Sequence, residues 1–342
     1  MQLYENYIHI NNNIKPFYVS ILFFEIHDRR LLVTAEELLN FYKYEKVVKQ
    51  EEYDILASKY GIFNEKIKSV IDSSKSELLN EIIIKPIYQI FNESELASLK
   101  NVLIDIIPCS KINAYSIKAD NNEYLIIINE RLMGLISSFH QLELYSIQKL
   151  SSDKDETDFA KNFSPILDCF LNPLSGNTLP VLSYKELPSK LQHLALIKTI
   201  MCEQFILAHE LAHIYLGHLK SASDHSIIND EFWVTYTANN DSQQMEFDAD
   251  IQATKWIISL SKVKSNFNPL QNSLLLFINV FTIFHLIECN IGFPLKNASH
   301  PSAIARLINI KEYFGSEIFS LIDYSIDDMI ENFKVVSNFR MF

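Results

Sequence analysis

The sequence predicts an α+β fold that is mainly helical. Two long stretches carry apolar residues at helical spacing, one from Leu191 to Leu219 and one from Asp241 to Leu260. Strand-like runs cluster in a single region, from Val102 to Asn129. The chain has 342 residues and 48% hydrophobic content, which is enough for one large or two ordinary domains with full cores.

The amino-terminal part of the chain carries no residues with an evident chemical role. A strand-like run spans Phe17–Glu25, and Thr34–Glu37 has a capping-box pattern that opens a helix. More helix follows, with breaks, as far as Gln89. We therefore predict a mostly helical amino-terminal region at 1–95 and a second domain, which carries the chemistry, at 96–342.

The second domain begins with the strand-like runs VLIDIIP, NAYSIKA and EYLIII. The turn-like residues Asp120, Asn121 and Asn122 join the last two runs, which is typical of a hairpin. The runs predict a small antiparallel β-sheet, packed on the helix that carries the motif described next.

The stretch from Leu191 to Leu219 contains the run HELAH, which has the HExxH pattern of a metal site. On a helix, His209 and His213 share one face, so both imidazoles can reach a single Zn²⁺. Glu210 flanks that face and is placed to act as a general base on a metal-bound water. The alternative is a pair of core histidines with an incidental glutamate, which would be costly to bury in so apolar a helix.

A catalytic zinc needs a third protein ligand. His218 is a poor candidate, because it lies nine residues after His209 and about 180° around the helix. It is better interpreted as a helix-end or outer-sphere residue. In the stretch from Asp241, Glu246 and Asp250 share a helical face, so Glu246 can ligate the metal while Asp250 accepts a hydrogen bond from His209. Without HELAH upstream, these acids would be interpreted as a solvated helix start.

HExxH followed by Glu246-Phe247-Asp248-Ala249-Asp250 resembles the gluzincin metallopeptidases. The longer string EFDADIQATKWII is similar to the Lit-type phage-exclusion peptidases, as are Ser299-His300-Pro301 and Arg306. The resemblance covers roughly residues 100 to 315. It implies a gluzincin-like core in which one strand of the sheet edges the substrate cleft.

The resemblance also implies roles residue by residue. His209, His213 and Glu246 would be the zinc ligands, Glu210 the general base and Asp250 an outer-sphere partner. His300 would donate to the developing oxyanion, although it could equally be the N-cap of a helix with Pro301 at its first position and Gly315 just past its end. Arg306, on that helix, is expected to brace an acidic partner.

Composition and charge limit the classes of partner, and the cellular compartment, that we expect for this protein. The net charge is −12 and no long basic cluster occurs, so nucleic acid and anionic membrane surfaces are unlikely partners. No secretory signal is visible, and Leu274–Ile287 is too short an apolar run to span a bilayer, so we expect a cytoplasmic protein with a core helix there. The four scattered cysteines indicate neither disulfides nor a cysteine metal site.

Two functions remain open from the sequence. The first is a zinc endopeptidase that cleaves a cellular protein in phage defence or toxin-like abortive infection, under the control of an activating phage or host protein. The resemblance implies a translation factor as substrate. The second is a metal-stabilised module that senses a partner without turnover. Glu210 favours the first, because a structural zinc is normally closed by four ligands and needs no base.

Overall fold

The computed structural model describes residues 34–36, 39, 79–107, 114–119, 122–150, 187–219, 240–264, 280–281, 283–284 and 301–315. Helices dominate this part of the chain, and a three-stranded sheet accompanies them, which confirms a mainly helical α+β class. A π-helical segment, Leu79–Ile84, continues into α1. The helices are α1 (Lys85–Tyr88), α2 (Glu93–Leu99), α3 (Glu130–Leu150), α4 (Ser189–Tyr215), α5 (Asn240–Lys264) and α6 (Ala303–Phe314).

The sheet consists of β1 (Val102–Ile107), β2 (Ala114–Lys118) and β3 (Tyr124–Asn129), in the order β1-β3-β2. The predicted hairpin is present, since β2 pairs antiparallel with β3. The prediction of a wholly antiparallel sheet is wrong, because β1 pairs parallel with β3. Strand β1 pairs with the central strand β3 and could run along it in either direction. Strand-like runs alone do not distinguish a parallel pair from an antiparallel one.

Helix α4 is the centre of the fold. Every residue from Cys202 to Ile214 is buried, so this part of the helix is surrounded by protein on all sides. Helices α3 and α5 and strand β2 all pack against it. The predicted packing of the sheet on the HExxH helix is therefore present, through β2.

Helix α5 forms the second wall of the core. Its buried side chains include Ala249, Ala253 and Trp256, which face the same core cluster as α4. The Trp256 indole nitrogen donates a hydrogen bond to Oε1 of Glu95 at 2.7 Å. Because the other oxygen of Glu95 accepts from the backbone of Asn92 in a capping box, one carboxylate both starts α2 and fixes it to α5.

Several predictions fall partly or wholly outside the described residues. Of the predicted helix from Thr34, Ala35, Glu36 and Leu39 are described and helical. Of the predicted core helix Leu274–Ile287, residues 280, 281, 283 and 284 are described; they are helical and pack on the main core. The boundary near residue 95 stays a prediction, although Ile83, Ile87 and Phe91 pack in the same core as α4. Among the described helices, none has the length and hydropathy to cross a bilayer.

Candidate metal centre

Three buried side chains from α4 and α5 converge on one point. The Nε2 atoms of His209 and His213 lie 3.0 Å apart. Glu246 faces both rings, with Oε2 at 3.3 Å from Nε2 of His209 and Oε1 at 3.4 Å from Nε2 of His213. One ligand atom from each residue can be chosen so that all lie within 4.8 Å of one another. The cluster can therefore hold a metal ion.

The donor atoms of this cluster can be compared with those of a zinc site. Tetrahedral Zn²⁺ with bonds of about 2.0 to 2.1 Å places neighbouring ligand atoms about 3.3 Å apart. The separations of 3.0, 3.3 and 3.4 Å are close to that value, and the two that involve Glu246 go to its two different oxygens. Two imidazoles and one carboxylate are also donors that zinc accepts. The donor set therefore fits zinc.

The far nitrogen of His209 contacts Asp250, which is fully buried. Nδ1 of His209 lies 2.9 Å from Oδ1 of Asp250. Burial alone would lower the pKa of His209, but hydrogen bonds to Asp250 and Glu246 outweigh burial and raise it to about 9. A proton held on Nδ1 by Asp250 leaves the Nε2 lone pair for a metal. The sequence analysis expected Asp250 at this nitrogen; its role as an outer-sphere partner stays a prediction.

Arg306 from α6 completes this side of the centre. Its Nε and Nη2 atoms donate to the two oxygens of Asp250, each at 2.7 Å, in a bidentate pair. Burial would raise the pKa of Asp250, but Arg306 and, more weakly, His209 hold it below its ordinary value. The guanidinium also lies over the rings of Phe281 and Phe284, at 5.3 and 5.7 Å from their centroids. Arg306 therefore meets an acidic partner, as expected from the sequence.

The far nitrogen of His213 contacts a second histidine. Nδ1 of His213 lies 3.1 Å from Nδ1 of His218, and the rings meet edge to face. Burial, and then the neighbouring His213, lower the pKa of His218 to about 4. His218 lies past Tyr215, the last residue of α4, which agrees with its interpretation as a helix-end residue. It contacts the nitrogen of His213 that faces away from Glu246, and an outer-sphere role stays a prediction.

Glu210 follows His209 on α4 and is buried. His300 lies outside the described residues, so its predicted contact with the oxyanion stays a prediction. The alternative cap role for His300 is wrong. Helix α6 begins at Ala303, and its N-cap is Ser302, whose hydroxyl accepts a hydrogen bond from the backbone of Ala305 at 3.2 Å. Serine is a far better N-cap than histidine, and Gly315 does end the helix as predicted.

Sequence reasoning missed a second polar cluster, between α3 and α4. Nε2 of His140 contacts Sγ of Cys202 at 3.3 Å, and its Nδ1 lies 3.2 Å from Oε2 of Glu143. Lys198 pairs with the same oxygen of Glu143. Burial lowers the pKa of His140 and raises that of the Cys202 thiol, so it disfavours the charged form of each. Only the spacing of His140 and Glu143 on one helical face could have suggested their pairing; nothing in the sequence pairs either with Cys202.

Comparison with known proteins gives one match. Residues 188–323 match the family model Peptidase U49, which describes the Lit family of metallopeptidases. The match covers less than half of the chain, but it contains α4, α5 and α6 and therefore every residue of the centre. Neither a curated protein nor a solved structure matches. The family match supports a peptidase.

Proposed function

We propose that this chain is a zinc-dependent endopeptidase with a gluzincin-like core. The observation that carries the proposal is the buried cluster of His209, His213 and Glu246 beside Glu210, inside the segment that matches a peptidase family. Three protein ligands leave one position open, which is the arrangement of a catalytic zinc; a structural zinc has four.

The chemistry divides between the ion and the side chains. A bound zinc supplies Lewis-acid polarisation of the scissile carbonyl and lowers the pKa of water. The Glu210 carboxylate accepts the proton of the attacking water and returns it to the leaving amine. Asp250 holds His209 in the tautomer that ligates, and Arg306 holds Asp250. His300 donates to the oxyanion.

The sheet offers a place for an extended substrate. Strand β2 lies at an edge of the sheet and packs against α4. An extended peptide can add to the edge strand of a sheet through backbone hydrogen bonds. The resemblance to gluzincins implies this mode of binding, and an edge strand beside the HExxH helix supports it.

The biological setting follows from the Lit-type resemblance. We propose that the substrate is a cellular protein in the cytoplasm, with a translation factor as the first candidate, and that cleavage serves phage defence or abortive infection. An activating phage or host protein would release the activity. The match to Peptidase U49 supports the proteolytic part of this proposal.

The direct test compares proteomes of cells that express the wild type, Glu210→Gln or Glu203→Gln. Glu203→Gln is the matched control, because it is the same change at another buried glutamate of α4, outside the centre. We expect new protein termini with the wild type and the control, and none with Glu210→Gln, since loss of a general base lowers turnover by about 10² to 10⁴. Equal cleavage, or equal toxicity, from wild type and Glu210→Gln would favour the non-catalytic sensing module instead.

Metal analysis provides the second test. Purified wild type should carry one zinc per chain, and His213→Ala should carry none at matched free zinc. The control is His193→Ala, an exposed histidine near the start of the same helix. One equivalent of zinc retained by His213→Ala would show that the ligand set is wrong.

A further inference from the structure

The end of α4 brings one more side chain to the metal centre. Gly217 has φ +72°, the left-handed conformation that glycine adopts without a steric penalty. The Gly217 amide donates to the carbonyl of Ile214 at 3.1 Å, and the His218 amide donates to the carbonyl of His213 at 2.9 Å. These two bonds define a Schellman motif, in which the residue after the glycine folds back over the last helical turn. His218 is that residue, so the backbone turn brings its Cα back over the last helical turn, which contains His213.

The two rings then meet through particular atoms. Nδ1 of His213 and Nδ1 of His218 lie 3.1 Å apart, a distance at which one nitrogen donates and the other accepts. The Nε2 atom of His213 faces His209 and Glu246. A histidine that ligates through Nε2 carries its proton on Nδ1, so His213 is the donor and His218 the acceptor.

We propose that His218 is a positioning residue of the metal centre, which holds His213 in the ligating tautomer and orientation by accepting its Nδ1 proton. The inference rests on the proposed zinc site. It gives each ligand histidine its own outer-sphere partner: a carboxylate, Asp250, for His209, and the imidazole of His218 for His213. His218 itself is excluded as a ligand of the same ion, because it contacts the nitrogen of His213 that faces away from the cluster.

Two substitutions separate the side chain from the backbone cap. His218→Asn keeps an acceptor at the δ position, because Oδ1 of asparagine and Nδ1 of histidine are both bonded to Cγ. His218→Leu has a similar shape there but no acceptor. Both retain the backbone amide that closes the Schellman motif, so any difference between them reports the Nδ1 contact. His193→Leu is the control for loss of a histidine elsewhere on α4.

The measurement is zinc affinity by chelator competition. We expect His218→Leu to bind zinc about 10- to 100-fold more weakly than the wild type, which is the usual loss for an outer-sphere partner. His218→Asn and His193→Leu should remain within about threefold. Equal affinity of the Leu variant and the wild type would overturn the inference and leave the proposed function standing. A wild type that binds no zinc would overturn the proposed function, and the inference with it.

A second readout begins with the wild type. In metal-free protein with ¹⁵N-labelled histidine, the nitrogen shifts should show the His213 ring protonated at Nδ1. The same shifts in His218→Leu should show loss of that preference, and His218→Asn should restore it. A wild-type His213 protonated at Nε2 would contradict the inference directly.

Discussion

Replacement of Arg306 by methionine should destabilise the protein far more than the loss of an ordinary surface charge. Asp250 is 0% exposed, and Arg306 supplies two hydrogen bonds of 2.7 Å to its two oxygens. Methionine keeps an apolar stem against Phe281 and Phe284 but leaves a buried carboxylate whose remaining partner, within the described part of the chain, is His209. Removing one partner of a buried ion pair costs about 3–5 kcal/mol. We expect a loss in that range for Arg306→Met.

The assay is urea unfolding in the presence of a chelator, so that metal binding does not contribute. Lys255→Met is the matched control, because Lys255 also lies over an aromatic ring, that of Tyr313, but at the surface; it should cost less than about 1 kcal/mol. In a double-mutant cycle with Asp250→Asn, the two losses should be less than additive by at least about 2 kcal/mol. Since Arg306 keeps the pKa of Asp250 below its ordinary 3.8, the loss should shrink in solutions more acid than that. A loss below about 1 kcal/mol, or additive losses, would refute the assigned pairing.

Three further changes test other parts of the fold. Burial raises the pKa of Glu203 from 4.5 to about 8, so the stability of the protein should fall as pH rises between these values. In thermal unfolding, Glu203→Gln should therefore be more stable than the wild type by on the order of a few kcal/mol above pH 8, and equally stable below about pH 4.5. Trp256→Phe removes the donor to buried Glu95 and should lower the free energy of unfolding in urea by about 2 kcal/mol; an unchanged value would show that this hydrogen bond does not stabilise the fold. Gly217→Ala meets no atom within 4 Å, so only its φ of +72° is strained; a loss of about 1 kcal/mol is expected, and a loss near zero would argue against the left-handed turn.

The helices that build the centre were predictable, because their signals are local. The apolar spacing of Leu191–Leu219 and Asp241–Leu260 gave α4 and α5 to within a few residues of their observed ends. Helical spacing also placed His209 and His213 on one face, and Glu246 and Asp250 on another. The packing of α5 on α4 then brings His209, His213 and Glu246 together.

The contacts that the sequence could not give are those that depend on packing between elements. Nothing in the run VLIDIIP specifies a parallel partner for β1, because side chains alternate between the two faces of a strand in parallel and antiparallel pairs alike. The contact of His140 with Cys202 joins residues 62 apart in the chain. His218 is an intermediate case: its angle on an ideal helix excluded it as a ligand, but only the turn at Gly217 shows where its ring goes.

The turn at Gly217 also determines how the ligands of the metal centre can separate. Helix ends open locally at a lower free energy than the whole domain, and His213 lies only two residues before Tyr215, the last residue of α4. Fraying of this single turn would withdraw His213 from Glu246 while His209, one turn deeper, stayed in place. The rate of amide hydrogen exchange at Gly217 and His218 would then change together with the rate at which the centre releases an ion. Both rates would be far higher than the rate of global unfolding.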